Sequence, residues 1–600
     1  MGQAIAHRGP DEANQVVLGA AALAFRRLSI IDVAGGQQPI WNERNDCAIL
    51  LNGEIYNYRD LRAELEKKGH VFRTKSDVET VLHLWEDKGP ACLDELRGMF
   101  AMAIWDVPKQ TLFLARDRLG KKPLYYCEVP GGLVFGSEIK AILQHPHVPR
   151  EPDHEALELF LSFHYVPSPL TAFKGIKRLA PAHWLTWQRG SVEVKRYWDL
   201  RYGSDFVGSD GDLREEILRL LRESVRMRLE SEVPLGAFLS GGLDSSTVVA
   251  LAAEALSTPL NTFSIGFGAA EFDESRYARL VAQKFGTNHH ELRLDEPPAS
   301  AISDLVWHYD QPFGDSSAIP SLQVAEITRP HVTVVLTGDG GDETFVGYDR
   351  YRLANLASWF RLPGPMLHGL YAASGPFARF LGRGERILRS RPNGIGDAYL
   401  ATLFQPAIGL HLGRNGSSPE ERFNRATRQL RGYFGSGTES TLDSMLALDV
   451  HSYLPDDLLV KVDVATMAHS LEARSPLLDH KLMELTASIP ASRKLGRRRG
   501  KKLLRDAMSG ILPPEILNRS KKGFGVPLAK WLRNDLSELM RDTLLSDDSQ
   551  SKRYFDRPQL ARIVDETQAG TDTYKYLVWD LMMLELWHRL YIERVPVPRA

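Results

Sequence analysis

Two glycine-rich loops carry the residues in this 600-residue chain best suited to chemistry. The first reads Leu239-Ser240-Gly241-Gly242-Leu243-Asp244-Ser245-Ser246, and the second Thr337-Gly338-Asp339-Gly340-Gly341-Asp342-Glu343. Each follows a short apolar run (PLGAFL, HVTVVL) and leads into helix-forming sequence. Glycines at such a junction let backbone N–H groups approach a polyanion, and the helix N-terminus behind them adds positive potential. The first loop is not the mononucleotide P-loop, because no lysine precedes Ser245. A strand-to-helix turn with two glycines is commonplace by itself. Two acid-bearing loops leaving strand C-termini are less so, since ligands of open α/β sheets bind there. Asp244 and Asp342 then suit Mg²⁺, which keeps several waters and binds through one or two carboxylates plus phosphates.

Such loops need a sheet to hold them. Beyond residue 214, apolar strands alternate with helices: PLGAFL then STVVALAAEAL, NTFSIGF then ESRYARLVAQKFG, HVTVVLTG then more helix. That alternation predicts a parallel sheet with helices on both faces. From about 395 to 600 the pattern is largely helical. Upstream, ILLNGEIYNY (49–58), GMFAMAIWD (98–106) and TLFLARD (111–117) read as short strands, with one helix at 58–69. Strand-dense sequence of this kind predicts a sheet sandwich for the first 140 or so residues. RYGSDFVGSDGDLR (201–214) has the composition of a linker. No internal repeat or long low-complexity tract is evident.

Composition excludes several functions. At 43% hydrophobic and 25% charged the chain is ordinary globular protein, and a net charge of −2 offers no field for nucleic acid or anionic membrane. Three widely separated cysteines, Cys47, Cys92 and Cys127, form neither a disulfide framework nor a zinc spacing, and read as reduced, half-buried residues of a cytoplasmic protein. No apolar run is long enough to span a membrane. RKLGRRRGKK (493–502) has seven basic residues in ten and reads mostly as a solvated loop. His289-His290 suggests a metal, but adjacent strand residues point to opposite faces, so both read as structural.

SGGLDSS resembles the pyrophosphate loop of ATP pyrophosphatases that adenylate a carboxylate or carbonyl. With TGDGGDE, HSLEARSPLLD (469–479) and KKGFGVPL (521–528), nearly the whole chain resembles the glutamine-hydrolysing asparagine synthetase family. The resemblance implies that Asp244 and Asp342 bind Mg²⁺. It places Leu239, Ile265, Thr337 and Gly338 around ATP together with Ser240, Gly241, Gly242, Ser245 and Ser246. It makes Asp339, where the family often has Glu, the acid needed for the aspartyl-adenylate. Lys501 matches the lysine that neutralises pyrophosphate, with Lys502 as the alternative register.

Arg26-Arg27-Leu28-Ser29-Ile30-Ile31-Asp32, Asn52-Gly53-Glu54-Ile55-Tyr56-Asn57 and Ser76-Asp77-Val78-Glu79 are similar, in order, to the class II glutamine amidotransferase domain. The implied fold is the αββα sandwich of N-terminal-nucleophile hydrolases, followed by an adenine-nucleotide α-hydrolase-like parallel sheet with a helical C-terminal part. By the same resemblance Arg27 grips the glutamine carboxylate, Glu54 and Asp77 read its ammonium, and Asn52 with the Gly53 N–H forms the oxyanion hole. Such a set suits a substrate with one negative and one positive end. Family chains begin Met-Cys-Gly, and the exposed Cys, its own α-amine of pKa about 8 serving as base, is the nucleophile. Here the first residues read MGQAIAHRGPD. Gly2 is no nucleophile, and the expectation is a truncated gene model whose start lies upstream.

The reading is therefore a glutaminase domain at 1–200, a linker at 201–214 and a synthetase domain at 215–600. Aspartate is adenylated by ATP, and ammonia from glutamine displaces AMP. The rivals are a relative acting on another carboxylate or forming a β-lactam, an ammonia-dependent enzyme, a non-catalytic scaffold and a tRNA-modifying pyrophosphatase. Paired metal carboxylates argue against the scaffold. The absence of cysteine beyond residue 127 argues against the last. The expected partners are small molecules, with a homodimer implied at family level.

Overall fold

The computed structural model describes residues 1–267, 273–294, 299–356, 395–404, 419–428, 430–434, 440–496, 499–521, 523, 525–553 and 555–595. Its N-terminal part holds the strands β1 (Glu12–Leu18), β2 (Ala21–Arg27), β3 (Ile40–Trp41), β4 (Cys47–Ile55), β5 (Gly98–Asp106) and β6 (Thr111–Arg116). Then come β7 (Tyr125–Val129), β8 (Gly132–Gly136), β9 (Ile176–Arg178), β10 (His183–Gln188) and β11 (Ser191–Arg196). An antiparallel sheet of order β11-β10-β6-β5-β4-β3 forms the centre. β5 shows why GMFAMAIWD lacks polar alternation: both of its faces are covered. Phe100, Met102 and Ile104 pack under the helices α1 (Tyr58–Lys68) and α2 (Asp77–Lys88). Ala101, Ala103 and Trp105 pack against the opposite layer, where the hairpin β1-β2 and the sheet β8-β7-β9 lie. Strand residues of opposite parity point to opposite faces, so a strand between two layers reads as continuously apolar. That double burial sets the central sheet between a helix layer and a second layer of strands.

Local signals set the ends of the two helices. Ser76 caps α2 by accepting from the Val78 N–H, and α1 stops at Gly69, whose φ of 104° suits glycine alone. The expected linker is shorter than its composition suggests. Residues 210–214 begin helix α5 (Asp210–Arg228), because Ser209 and Asp212 form a capping box there. Gly, Ser and Asp favour helix N-termini as well as loops, and here the cap wins.

The C-terminal part is built on a parallel sheet, β14-β13-β12-β15-β16, from β12 (Leu235–Phe238), β13 (Asn261–Phe267), β14 (Asn288–Leu294), β15 (Val334–Leu336) and β16 (Glu472–Arg474). α5, α6 (Leu243–Ala255) and α7 (Ser275–Phe285) cover one face, and α9 (Ala318–Thr328) the other. β16 comes from the HSLEARSPLLD segment and pairs in parallel with β15, Leu336 opposite Arg474. Three residues are too few for the sequence pattern to mark as a strand. In β14, His289 meets the hydroxyls of Thr262 and Ser264, while His290 stacks on the Phe263 ring on the other face.

Buried ion pairs join the two parts. Arg97 of the first part and Arg228 of α5 converge on Asp479, at 2.8 and 3.2 Å. Arg8 pairs with Glu138 and with Asp463, and Lys122 with Asp463. Arg474 pairs with Glu472 of its own strand and with Glu54 across the boundary. Removing one partner of a buried pair strands the other charge and costs about 3–5 kcal/mol. Asp479→Asn, which keeps shape and drops charge, is expected to lower the unfolding free energy by that order, read as a lower denaturant midpoint. An unchanged midpoint would show that Arg97 and Arg228 do not depend on this carboxylate.

Candidate active sites

The first site is a cavity of about 360 Å³ bounded by Arg27, Asn52, Gly53, Glu54 and Asp77, with Glu472 and Met467 supplied by the C-terminal part. Every glutamine-reading residue named from sequence therefore lines one space. Arg27 ends β2, Asn52-Gly53-Glu54 lie on β4, and Asp77 opens α2. Arg27 is buried, its terminal nitrogens donating to the Ile31, Asp32 and Val33 carbonyls and pairing with Glu12 at 2.9 Å. Gly36 must be small, since a Cβ there would lie 2.6 Å from the Arg27 Nη2. Gly53 has φ of 135°, and a Cβ would sit 1.9 Å from the Met99 carbonyl oxygen. The Asn52 side-chain N–H₂ is buried with no hydrogen-bond partner. A free buried donor beside a cavity is what an oxyanion hole needs.

Two acids face that donor's surroundings. Burial pushes Asp77 up to about 6, although the Ile55 N–H donates to it at 2.8 Å. Burial also raises Glu54 well above the carboxylate range, with Arg474 at 3.1 Å opposing it. Arg474 and Glu472 were not found by sequence reasoning, which quoted their motif for the synthetase part alone. No cysteine lines the cavity. Cys47, Cys92 and Cys127 are fully rather than half buried, and burial pushes the first two thiols up to about 12. They sit in strand and helix cores where an apolar thiol packs best.

The second site lies beyond the C-terminal ends of β12 and β15. Leu239 is buried and takes its N–H to the Phe263 carbonyl, and Ser240 to Ser246 wrap the start of α6. Ser240 Oγ lies 3.0 Å from Ser245 Oγ and accepts the Gly242 N–H. Gly241 has φ of 69°, and a Cβ would press on the Ala278 N–H. Gly338 and Gly341 bring the second loop against the first, where their Cβ atoms would fall 2.7 Å from Ser245 N and 2.5 Å from Asp244 Cγ. Thr337 bonds Ser475, Asp339 is half-buried, and Ile265 lies on the adjacent β13.

Lys501 stands between the two acids. Its Nζ contacts Asp244 and lies 2.9 Å from Asp342, whose other oxygen meets Lys521 at 2.5 Å. Lys502 instead lies outside, paired with Asp506 one turn along its helix. Burial opposes the Lys501 charge, yet Asp244 and Asp342 hold it above the usual lysine value. Burial raises Asp244 in spite of Lys501, whereas Lys501 and Lys521 together keep Asp342 at about 2 against its burial. One Asp244 oxygen is buried with no hydrogen-bond partner. That oxygen, with Asp342 alongside, fits a hard cation that binds through carboxylates and phosphates.

Several site residues escaped the sequence reading. Lys461 joins Asp315 and Ser317 at 2.7 and 2.9 Å. Burial and Asp315 push Asp457 up to about 8, and burial with Asp342 pushes Glu343 up to about 7. Asp457 and Lys461 stand at i,i+4 spacing, a visible signal that was passed over. Of the basic run 493–502, Lys494 is also buried, bonded to Asp443 and to the Ala487 carbonyl. The solvated-loop reading thus fails at Lys494, which meets a buried carboxylate, whereas Lys501 is the one lysine of the run expected at the site. Arg497 and Arg498 of that run, and Lys522 and Phe524 of KKGFGVPL, lie outside the described residues.

Comparison with known proteins gives a consistent picture. A family model described as asparagine synthase matches residues 216–589, and one described as glutamine amidotransferase domain matches residues 1–198. The chain is 34% identical over 604 residues to asparagine synthetase [glutamine-hydrolyzing] 1 of Bacillus subtilis, covering 100% of this chain and 94% of that one. It is 34% identical to a putative asparagine synthetase [glutamine-hydrolyzing] of Mycobacterium tuberculosis, covering 99% and 93%. It is also 30% identical to amidase chyE of Penicillium rubens, covering 92% and 88%.

The geometry of the first cavity is open to test at Gly53. An alanine there must adopt positive φ against a backbone carbonyl, at about 1–3 kcal/mol. Gly53→Ala is expected to reduce stability by that amount, read from denaturant unfolding. Unaltered stability would mean that β4 can shift away from Met99.

Proposed function

The chain belongs to the glutamine-hydrolysing asparagine synthetase family, and from that membership and the two sites we propose how its residues make an amide. The carboxylate of aspartate attacks the α-phosphate of ATP, giving β-aspartyl-AMP and pyrophosphate. Ammonia derived from glutamine then displaces AMP. The functional division we assign is glutaminase at 1–200 and synthetase at 215–600. Three free, buried cysteines support a reducing, cytoplasmic setting.

The observation that carries the reading is Lys501 held between Asp244 and Asp342 at the mouth of a parallel sheet. ATP phosphates would lie along Ser240, Gly241, Gly242, Ser245 and Ser246 at the start of α6, where N–H groups and the helix dipole favour anions. The adenosine would rest against Leu239, Ile265, Thr337 and Gly338. Asp244 and Asp342 would hold Mg²⁺, which when bound supplies charge neutralisation for the triphosphate. Lys501 would turn from the carboxylates to the departing pyrophosphate, a contact worth most as charge develops in the transition state. Burial raises Asp339, with Thr337 and the Lys461 charge opposing it, and this acid would stand between the acceptor and the phosphates.

In the first cavity, Glu12 occupies the ion-pairing side of Arg27 that a glutamine carboxylate would take. Asp77 and Glu54 would receive the ammonium, and Asn52 with the Gly53 N–H would receive the oxyanion, each donor being worth about 3 kcal/mol. Met467 and Glu472 bring the synthetase part to the cavity wall, which favours direct transfer of ammonia.

ATP–pyrophosphate exchange across a panel of carboxylic acids tests the acceptor, with aspartate expected to be the strongest. Exchange with another acid and none with aspartate would replace the acceptor but not the site. Lys501→Met is expected to lower exchange by about 100-fold or more, and Lys502→Met to leave it at the parental rate. Equal loss in both would mean that the two lysines act together.

Asp77 must be ionised to hold an ammonium. Its carboxyl titrates near 6, so glutamine binding is expected to weaken as pH falls through 6, by about tenfold per unit below it. Calorimetric titration of residues 1–600 with glutamine reads this directly, and a flat profile from pH 7 to about 5 would remove Asp77 from the ammonium site. The same protein is expected to form amide from ammonium supplied in place of glutamine, since ammonia itself is what displaces AMP.

A further inference from the structure

On the far side of the first domain, three segments bring two histidines and two glutamates together: the β3–β4 loop (Glu43), the residue after the α1 cap (His70), and one face of α2 (His83 and Glu86). One ligand atom from each lies within 4.8 Å of all the others. We propose that Glu43, His70 Nδ1, His83 Nδ1 and Glu86 form a structural site for one Zn²⁺ ion, separate from both reaction centres.

Three contacts within the cluster have lengths close to the edges of a tetrahedral site, and all four ligand atoms lie within 4.8 Å of one another. His70 Nδ1 lies 3.2 Å from Glu43 Oε1, and His83 Nδ1 lies 3.4 Å from Glu43 Oε2 and 2.9 Å from Glu86 Oε2. Zinc bonds of 2.0–2.1 Å at tetrahedral angles require ligand atoms roughly 3.3 Å apart. The four groups need little movement to take up an ion. Two imidazoles with two carboxylates suit zinc, and imidazole disfavours Mg²⁺ and Ca²⁺.

The outer contacts provide an independent second observation. Histidine ligands of zinc usually present their other ring nitrogen to a carboxylate or carbonyl, which fixes ring and tautomer. Here His70 Nε2 lies 3.1 Å from Asp87, and His83 Nε2 is buried with no hydrogen-bond partner, the Glu79 carboxylate standing 3.7 Å away. Those carboxylates are themselves anchored. Glu79 accepts from the N–H groups of Arg73 and Thr74 and from the Thr74 hydroxyl, and Asp87 pairs with Lys68. Glu86 accepts from the Asn42 amide at 2.7 Å. Both imidazoles thus point Nδ1 inward and Nε2 outward to an anchored acid. Among the described residues this is the one cluster of histidine and carboxylate ligands close enough to hold an ion. The competing account is that protons on the imidazoles satisfy the same carboxylates, with no metal.

α2 begins at Asp77 and carries His83 and Glu86 two turns further along. A zinc ion here would clip α2 to the loops on either side and so fix the helix that presents Asp77 to the first cavity.

The test uses residues 1–600, freed of metal by a chelator and titrated with Zn²⁺ alone. The expected results are one tight site per chain by calorimetry and by metal analysis after desalting, a zinc-dependent rise in Tm, and tetrahedral d–d absorption with Co²⁺ in place of zinc. His70 is near the surface, so His70→Gln should fold. It is expected to weaken zinc binding at least tenfold, to lose the zinc-dependent Tm rise, and to keep the parental Tm without metal and the parental rate of ATP–pyrophosphate exchange. A second variant, Glu86→Gln, is expected to repeat the loss of binding. No tight site in the parent, or the same stoichiometry and affinity in both variants, would overturn the proposal and leave the proton-filled network. The result does not depend on which acid the synthetase site accepts.

Discussion

A charge taken out of water must find a partner, and here the partners lie on opposite sides of a domain boundary. Arg474 is wholly buried between Glu472 of its own strand and Glu54 of the first cavity. Five residues further on, Asp479 receives Arg97 and Arg228. Uncompensated, each of these charges would cost several kcal/mol. The geometry that satisfies them leaves little freedom in how the two halves meet. HSLEARSPLLD is therefore less a loop of one domain than the seam between two.

That seam also determines what the two sites can share. Leu336 and Arg474 stand opposite each other in the β15–β16 ladder, and the Thr337 N–H donates to the Arg474 carbonyl. Thr337 opens the loop that carries Asp339 and Asp342. The backbone that positions Asp339 and Asp342 is thus bonded to the residue whose guanidinium reaches Glu54 in the first cavity.

Within the second site, close approach matters more than any single contact. Gly338 and Gly341 allow the two loops to touch, and Lys501 reaches them from a left-handed backbone position, φ 58°, which is uncommon for lysine. The strain is held by the Lys501 N–H bonding to the Val346 carbonyl, beside Gly347, whose hydrogen faces the Lys501 and Asp342 side chains. A β-carbon at Gly347 would occupy the space those side chains need. Strained backbone concentrated at a cluster of charges is consistent with a site organised ahead of its substrate.

Much of this was determined by the sequence alone. Strand-loop-helix order located both glycine-rich loops at the C-terminal ends of β12 and β15, because glycine and acid at the end of an apolar run mark such a turn. GMFAMAIWD gave its strand limits without error, since a doubly covered strand is apolar throughout. Residues Arg27, Asn52, Glu54 and Asp77 could be named because their motifs are local. Tertiary structure alone decided that Arg474 reaches both Glu54 and Thr337, that Lys494 and Lys501 but not Lys502 are buried, and that Glu43, His70, His83 and Glu86 meet. Each of those outcomes depends on partners distant in the chain, or on which side of a short helix faces inward. Periodicity reports that a residue has a face, whereas only packing reports what that face meets.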